Sequence, residues 1–198
     1  MSDSLEQIRT EVSASIAVKQ ALLADAGLLA QIDRLSQTCL QALRGGGKII
    51  FAGNGGSFAD AQHLSAEFVS RFRFDRAPLA SMALATNSST ISAISNDYGY
   101  DHVFSRELEA VARSFDVFIP ITTSGNSPNV LKAIEVARRL ELRTVCLTGE
   151  TGGGAKELCE CLSVPSRETA RIQECHILVG HIICGLVENM YFKRVETK

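Results

Sequence analysis

Five short apolar segments separated by stretches of helix length set the strongest constraint on how this chain can fold. The segments are KIIFAG (48–53), SMALAT (81–86), DVFIPIT (116–122), RTVCLTG (143–149) and CLSVP (161–165). They are apolar on both faces, and such runs alternating with helical segments are typical of a parallel sheet covered by helices on both sides. The sequence therefore predicts a three-layer, doubly wound α/β fold with about five parallel strands.

Helices are predicted at both ends of this α/β core. Apolar residues recur at helical spacing over residues 5–43 and three glycines follow at 45–47, which predicts two leading helices. A last helix is predicted over 168–192. Its middle, HILVGHIICGLV, is apolar nearly all the way round, so it must be buried from several directions, and a second subunit is the simplest cover. We expect one domain over 1–198 and an oligomer to which the helices of residues 1–45 contribute packing.

Composition favours a small soluble ligand over a polymer or a membrane. The 20 Lys and Arg residues nearly balance 22 Asp and Glu residues, so no net charge attracts nucleic acid or an anionic bilayer. The polar N-terminal residues do not resemble a signal peptide, and the apolar run at 177–187 is shorter than a membrane span. Six cysteines without a CxxC pair are typical of reduced thiols. We expect a cytoplasmic protein without nucleic-acid or membrane partners.

The loop after the first strand is a glycine-rich turn, Gly53-Asn54-Gly55-Gly56-Ser57. In open α/β sheets ligands bind beyond the carboxyl ends of strands, and small residues let backbone amides approach an oxyanion there. The dinucleotide fingerprint is excluded because its third glycine would fall at Phe58 and because no acidic residue ends the second strand. The loop therefore predicts binding of an oxyanion other than a dinucleotide.

The loop after the third strand is rich in hydroxyls. It reads TTSGNSPN from Thr122 to Asn129, with Ser127 as the expected N-cap of a helix and Pro128 at its first position. Four hydroxyls together with free helix amides suit a phosphate that no Lys or Arg contacts. An ordinary capped turn is the alternative, but one cap needs only one hydroxyl. The surplus favours a phosphate site.

Candidate metal ligands lie on two predicted helices. His63 and Glu67 are four residues apart, so both side chains can reach one ion. Such pairs are more often solvated, but this helix begins at a ligand loop. The last helix carries Gln173 and His181; His181 also suits a buried core histidine, and eight residues separate the two by about 12 Å along the axis. The residues alone leave a metal site, and the part of Gln173 in it, open.

A third polar cluster, NDYGY, follows the second strand at residues 96–100. Asp97 can hold sugar hydroxyls or orient a base. It can equally cap a helix end or form an Asx-turn. Both interpretations remain open from sequence.

Four motifs, GNGGSFADAQHLSAEF, NDYGY, TTSGNSPN and IQECHILVGH, follow one another along the chain. In order and spacing they resemble the bacterial phosphoheptose isomerases of the sugar isomerase (SIS) fold, and the resemblance covers nearly the whole chain. It implies conversion of sedoheptulose 7-phosphate to D-glycero-D-manno-heptose 7-phosphate. That reaction is the first step toward the ADP- or GDP-heptose of lipopolysaccharide or related surface glycans. It also implies a cytoplasmic homotetramer with active sites between subunits.

The same resemblance implies the site residues. One zinc ion per subunit is expected on His63, Glu67, Gln173 and His181. The implied substrate contacts, to which we add Ser57 because it ends the glycine loop, are Asn54, Gly55, Gly56, Ser57, Glu67, Asn96, Asp97, Thr122, Thr123, Ser124, Ser127 and Gln173.

Moving a carbonyl between C2 and C1 requires a base at carbon and a second group that moves protons between oxygens. We assign these roles to Glu67 and His181, with zinc polarising the carbonyl. Two alternatives share the fold. A non-catalytic SIS protein that binds a sugar phosphate or the bacterial replication initiator lacks the full acid–base set, which is present here. An isomerase of another ketose phosphate would share loops and chemistry, because pocket shape selects chain length.

Overall fold

The computed structural model describes residues 3–192, so the first two and last six residues of the expected 1–198 domain lie outside the described part. The helices and strands follow in the order α1 (Asp3–Ala24), α2 (Ala26–Arg44), β1 (Ile49–Gly53), α3 (Gly56–Val69), β2 (Ser81–Ala83), α4 (Ser88–Tyr98), α5 (Val103–Val111), β3 (Val117–Ile121), α6 (Pro128–Arg139), β4 (Arg143–Thr148), β5 (Glu160–Ser163) and α7 (Thr169–Phe192). Short 3₁₀ turns occupy Tyr100–His102 and Gly153–Glu157. All five predicted strands and the three predicted terminal helices are therefore present.

The strands form one parallel sheet in the order β2-β1-β3-β4-β5. The chain runs outward from β1 in one direction through β2 and in the other through β3, so the strand order reverses between β1 and β3. A doubly wound sheet opens a crevice at such a switch point, beyond the carboxyl ends of its strands. The glycine-rich loop and the hydroxyl-rich loop both start there.

Alternate residues of each central strand enter two separate cores. Ile49 and Phe51 of β1 pack in one cluster with α2, α3 and α7, whereas Ile50 and Ala52 pack in a second cluster with α4, α5 and α6. Every residue of β1 and β3 is buried. Burial on both faces explains why these strands are continuously apolar, and the predicted three-layer α/β fold is confirmed.

Strand β2 ends earlier than the sequence predicts. The apolar run continues to Thr86, but the ladder stops at Ala83, and β2 lies at the edge of the sheet. Ala85 adopts a left-handed φ of 61°, and its N–H donates to Glu107 Oε2 at 2.6 Å. A residue with positive φ cannot continue a strand. The end of β2 therefore depends on a tertiary contact that the local sequence does not reveal.

Helix α7 is about half buried within its own chain. Its buried side chains, among them Val179, Ile183 and Val187, belong to the core cluster beneath α2 and α3. By length and composition alone α7 could cross a membrane, and so could α1 and α2 if the bent pair were one span. Its packing is that of a core helix. All six cysteines are free thiols, as predicted.

Helix α1 carries a stripe of exposed apolar side chains. This helix of 22 residues buries only Leu22. Four large apolar side chains at helical spacing are half-exposed along it, namely Leu5, Ile8, Val12 and Ile16. The cover that the sequence argument expected for α7 from a second subunit stays a prediction, because Leu186 is 36% exposed and several other apolar side chains of α7 are only partly buried. The apolar stripe of α1 gives the oligomer prediction a second basis.

Candidate active site

Helices α3 and α7 lie side by side and carry the candidate metal ligands. Gly180 of α7 allows their close approach, because a β carbon there would lie 2.5 Å from both terminal methyls of Leu64. Cys184 Sγ, one turn further along α7, lies 4.0 Å from the Leu64 carbonyl oxygen. The sequence neighbours of Leu64 and Gly180 are His63 and His181. The helix contact therefore brings two polar side chains together at the rim of an apolar interface.

His63, Glu67 and His181 form one cluster. His63 Nε2 and His181 Nε2 are 2.8 Å apart, and His63 Nε2 is 3.4 Å from Glu67 Oε1. One ligand atom from each residue lies within 4.8 Å of the other two. The i, i+4 spacing on α3 and the helix contact together thus bring three of the four predicted zinc ligands to one place.

The surroundings of His181 favour its neutral form. Burial and the neighbouring His63 lower the pKa of His181, and the Glu67 carboxylate opposes that shift. The Phe72 ring stacks on the imidazole with centroids 5.4 Å apart and planes 22° apart. The His63 side chain is 48% exposed and that of Glu67 21%. A ligand can therefore reach the cluster from solvent.

Phe72 was not predicted from sequence, and its position depends on a buried ion pair. Glu188 of α7 accepts hydrogen bonds from the Phe72 and Arg73 amides at 3.0 and 2.8 Å and from Arg76 Nε at 2.9 Å. The Arg76 and Glu188 side chains are 2% and 1% exposed. Arg76 also donates to the Glu67 carbonyl oxygen at 2.7 Å. This network fixes the loop after α3 against α7.

The hydroxyl-rich loop leaves the first amides of α6 without a side-chain cap. Ser127 stands at the N-cap position and Pro128 follows it, as predicted, but the Ser127 side chain does not cap the helix. Its Oγ lies 3.2 Å from Thr122 Oγ1 instead. Ser124 and Thr123 are more accessible than the buried Thr122. Uncapped amides beside hydroxyls favour the phosphate interpretation over an ordinary capped turn.

The glycine loop presents backbone at the start of α3. Gly55 has a φ of 55° and, like Gly56, is exposed, whereas Ser57 is 4% exposed. A β carbon at Gly56 would lie 2.3 Å from Gln173 Nε2. The structure therefore places the Gln173 amide against the first turn of α3. Along α7 that position is about two turns from His181, so Gln173 lies apart from the three clustered ligands in this chain.

Asn54 joins the two loops at the switch point. Its Nδ2 donates to Asn129 Oδ1 at 2.8 Å, and Asn129 Nδ2 donates back to Asn54 Oδ1 at 2.9 Å. Asn129 is 2% exposed, and Tyr100 donates its phenol to Asn54 Oδ1 at 3.1 Å. Sequence reasoning missed Asn129 and Tyr100 as site residues, although both lie in quoted motifs. A polar residue directly after the Ser-Pro start of α6 was the available signal.

Asn96 and Asp97 end α4 on the exposed surface. Asn96 Nδ2 donates to Asp97 Oδ1 at 2.8 Å. Gly99 follows with a φ of 88° and ends the helix. The pair lies a few residues before Tyr100, whose phenol reaches the glycine loop. In this structure the two side chains interact with each other, and their predicted contact with substrate stays a prediction.

Comparisons with known proteins agree with this architecture. Residues 5–149 match the SIS domain family. A phosphoheptose isomerase from Aneurinibacillus thermoaerophilus is 51% identical over 189 residues, which cover 95% of this chain and 96% of the relative. Phosphoheptose isomerase 2 from Campylobacter jejuni is 50% identical over 93% of this chain and 92% of its own length.

Solved structures give the same result. A phosphoheptose isomerase from Francisella tularensis superposes with a TM-score of 0.89 at 34% identity, covering 96% of this chain and all of that one. The phosphoheptose isomerase from Neisseria gonorrhoeae superposes with a TM-score of 0.87 at 39% identity, covering 93% of this chain and 98% of that one.

Proposed function

Since the chain belongs to the phosphoheptose isomerases, a family of SIS-domain enzymes, it is an aldose–ketose isomerase, and we propose that it acts through zinc held by His63, Glu67 and His181. Its reaction converts sedoheptulose 7-phosphate to D-glycero-D-manno-heptose 7-phosphate. The observation that carries the proposed site is the cluster in which three ligand atoms lie within 4.8 Å of one another.

The donor set fits zinc. Two imidazole nitrogens and one carboxylate oxygen are the protein ligands of many catalytic zinc sites, which keep a fourth position for water or substrate. The two Nε2 atoms lie 2.8 Å apart, which is the distance of a hydrogen bond, and a small outward shift of the rings would let both bind one ion. Gln173 lies against Gly56, away from the three ligands. It could bind the same ion only if long side chains converged or if it came from another subunit. Bound zinc supplies a Lewis acid that polarises a carbonyl and offsets enediolate charge.

The residues of the chain account for the proton transfers. The Glu67 carboxylate removes a proton from C1 of the ketose, and the same proton, now on the carboxyl, is delivered to C2. His181 takes the proton from the hydroxyl at O1 and gives it to O2. This shuttle uses both ring nitrogens, so His181 must leave the zinc during the transfer, and its lowered pKa keeps the released imidazole neutral. No electrons leave the sugar, and no redox cofactor is needed.

The loops at the switch point hold the other end of the substrate. The hydroxyls of Thr122, Thr123, Ser124 and Ser127 and the free amides of α6 bind the phosphate. Gly55, Gly56, Ser57 and the Gln173 amide bind along the chain of the sugar. His63 lies seven positions after Gly56 on α3, about 10 Å along the helix axis. An extended seven-carbon sugar phosphate spans a distance of this order.

The enzyme works in the cytoplasm as a homotetramer with active sites between subunits. The apolar stripe on α1 supports this, since it leaves Ile8 and Val12 58% and 54% exposed until another surface covers them. The exposure of the His63 side chain supports a site that a second subunit closes. The product then enters the synthesis of heptose-containing surface glycans.

The test is conversion of sedoheptulose 7-phosphate by purified protein before chelation, after chelation and after return of zinc, with elemental analysis of each sample. We expect aldose formation that is lost on chelation and restored by zinc. Full activity in metal-free protein would exclude the zinc site while leaving the isomerase in place. Absence of aldose in every sample would exclude the isomerase itself.

Glu67→Gln tests the base. The amide keeps the shape and one oxygen of the carboxylate but cannot accept the carbon proton, so kcat should fall by about 10² to 10⁴. Glu135→Gln on α6 makes the same change at an exposed position away from the cluster and should leave kcat unaltered. Turnover of Glu67→Gln close to that of the control would remove Glu67 from this role.

A further inference from the structure

Asn54 uses nearly all of its hydrogen-bonding groups within the protein. Its Oδ1 accepts from both Asn129 Nδ2 and Tyr100 Oη, which occupies both lone pairs of the carbonyl. Its Nδ2 gives one hydrogen to Asn129 Oδ1. One Nδ2 hydrogen of Asn54 is left for a ligand.

This arrangement lies between the two ligand loops. Asn54 belongs to the glycine loop after β1, and Asn129 lies in the first turn of α6, directly behind the hydroxyl-rich loop after β3. Asn129 is 2% exposed, so an unpaired amide there would be costly. The pair therefore links the two loops beyond the point where the paired strands β1 and β3 end.

Tyr100 approaches from a third segment, which α6 also holds. Lys132 Nζ lies 3.1 Å from His102 Nε2 and 3.6 Å from Asp101 Oδ2. The 3₁₀ turn that carries Tyr100 is thus tied to the second turn of α6. Tyr100 itself is 56% exposed, so its phenol reaches Asn54 from the solvent side.

We propose that Asn129 and Tyr100 are positioning residues that hold Asn54 with its carbonyl saturated and one N–H directed at an acceptor oxygen of the substrate. A carboxamide that offers only a donor prefers a pure acceptor, such as a phosphate oxygen, to a hydroxyl that must also donate. This inference rests on the proposed function, which makes Asn54 a substrate contact. It adds two residues that act on the substrate only through Asn54.

Tyr100→Phe is the decisive variant, because it removes one hydroxyl from an exposed ring. We expect the KM for sedoheptulose 7-phosphate and the Kd for inorganic phosphate to rise about 3- to 10-fold, the range expected for one hydrogen bond. The kcat, the zinc content and the unfolding midpoint should stay at wild-type values. Tyr98→Phe is the matched control, because Tyr98 is 53% exposed and its ring lies under Arg106, away from Asn54.

Asn129→Leu removes both reciprocal bonds at nearly constant volume. It should weaken the binding of sedoheptulose 7-phosphate and of inorganic phosphate more than Tyr100→Phe does. Adding Tyr100→Phe to it should then have a smaller effect than in the wild type, because the amide is already free to turn. Should Asn129→Leu fail to fold, Tyr100→Phe decides alone.

Equal ligand affinities for Tyr100→Phe and Tyr98→Phe would overturn the proposal. The phosphate titration keeps the test separate from the proposed function. If no variant and no wild-type sample forms aldose, the isomerase is excluded, yet weaker phosphate binding by Tyr100→Phe would still support the positioning role. Unchanged phosphate binding would overturn that role whether or not the protein is active.

Discussion

Two histidines on α7 have opposite environments although they lie in one apolar run. His176 is completely buried, and its Nε2 lies 3.1 Å from the Thr148 carbonyl oxygen. Its Nδ1 is buried without a hydrogen-bond partner in the described structure. His181, five residues later, faces α3 and meets His63. The first is a core residue, and the second belongs to the candidate site.

The burial of His176 predicts a specific pH dependence of stability. Burial lowers its pKa to about 4 from an ordinary 6.5, although the bond to Thr148 opposes the shift. Between these values the unfolded chain binds a proton that the folded chain does not, so the free energy of unfolding falls as pH falls. The loss is about 3 kcal/mol in total and absent above pH 6.5.

Urea unfolding of metal-free protein from pH 7.5 to pH 4.5 measures this effect. His176→Gln retains a donor for the Thr148 carbonyl oxygen but does not titrate, so its stability should fall less steeply over the same range. The comparison concerns the slope, because the substitution also changes packing. Parallel slopes for the two proteins would contradict the buried neutral histidine.

Sequence could nominate the residues of the site but not all of their neighbours. The i, i+4 spacing placed His63 and Glu67 on one face of a helix, and the structure confirms that placement. The resemblance assigned His181, which periodicity alone would have left in the core. Phe72 had no signal, because its stacking on His181 depends on the loop that Arg76 and Glu188 hold. A contact that depends on tertiary packing leaves no periodic pattern in the sequence.

At the scale of elements, one glycine controls how α3 meets α7. In a helix interior Gly→Ala ordinarily stabilises by up to about 1 kcal/mol, because alanine is the better helix former. At Gly180 we expect the opposite sign, since the added methyl would lie 2.5 Å from the methyls of Leu64, which is 1% exposed. Overpacking of this kind costs about 1–3 kcal/mol of folding stability. It would also displace Leu64, which is next to His63 in sequence.

Gly185→Ala on the same helix is the matched control. The atoms nearest to its β carbon would be those of the Arg73 guanidinium, at 3.0 Å, at the far end of an exposed side chain. We expect Gly185→Ala to keep stability and activity while Gly180→Ala lowers both. Chemical denaturation and steady-state kinetics measure the two. A stabilised, fully active Gly180→Ala protein would show that the helices do not depend on this contact.

The elements themselves were the most predictable part of the fold. Five apolar runs gave five strands because parallel strands buried on both faces need apolar residues throughout. The same property hides the strand order, since a run without alternation does not say which neighbour it pairs with. The early end of β2 was missed because Glu107, 22 residues away, accepts from Ala85.

For the whole molecule, α1 is the element whose packing is incomplete. A helix in a folded protein gains most of its stability from burying an apolar face, and α1 buries only Leu22 within the described chain. Leu22 and Val18 near its end join the core cluster that includes α7, and polar contacts such as Lys19 Nζ at 3.3 Å from Glu174 Oε2 are added to them. An exposed ion pair of this kind contributes little. The stripe of Leu5, Ile8, Val12 and Ile16 therefore needs a covering surface.

Ile8→Glu tests whether that surface is a second copy of the chain. Burying a carboxylate in an apolar interface without a partner is costly, so the tetramer should dissociate at micromolar concentration. Thr10→Glu adds the same charge at an exposed position on the opposite side of α1 and should leave the assembly intact. Light scattering gives the mass of each protein.

If active sites lie between subunits, the smaller species should also lose isomerase activity, and this loss should reverse at high protein concentration. A mass for Ile8→Glu equal to that of Thr10→Glu would exclude the stripe as the subunit interface.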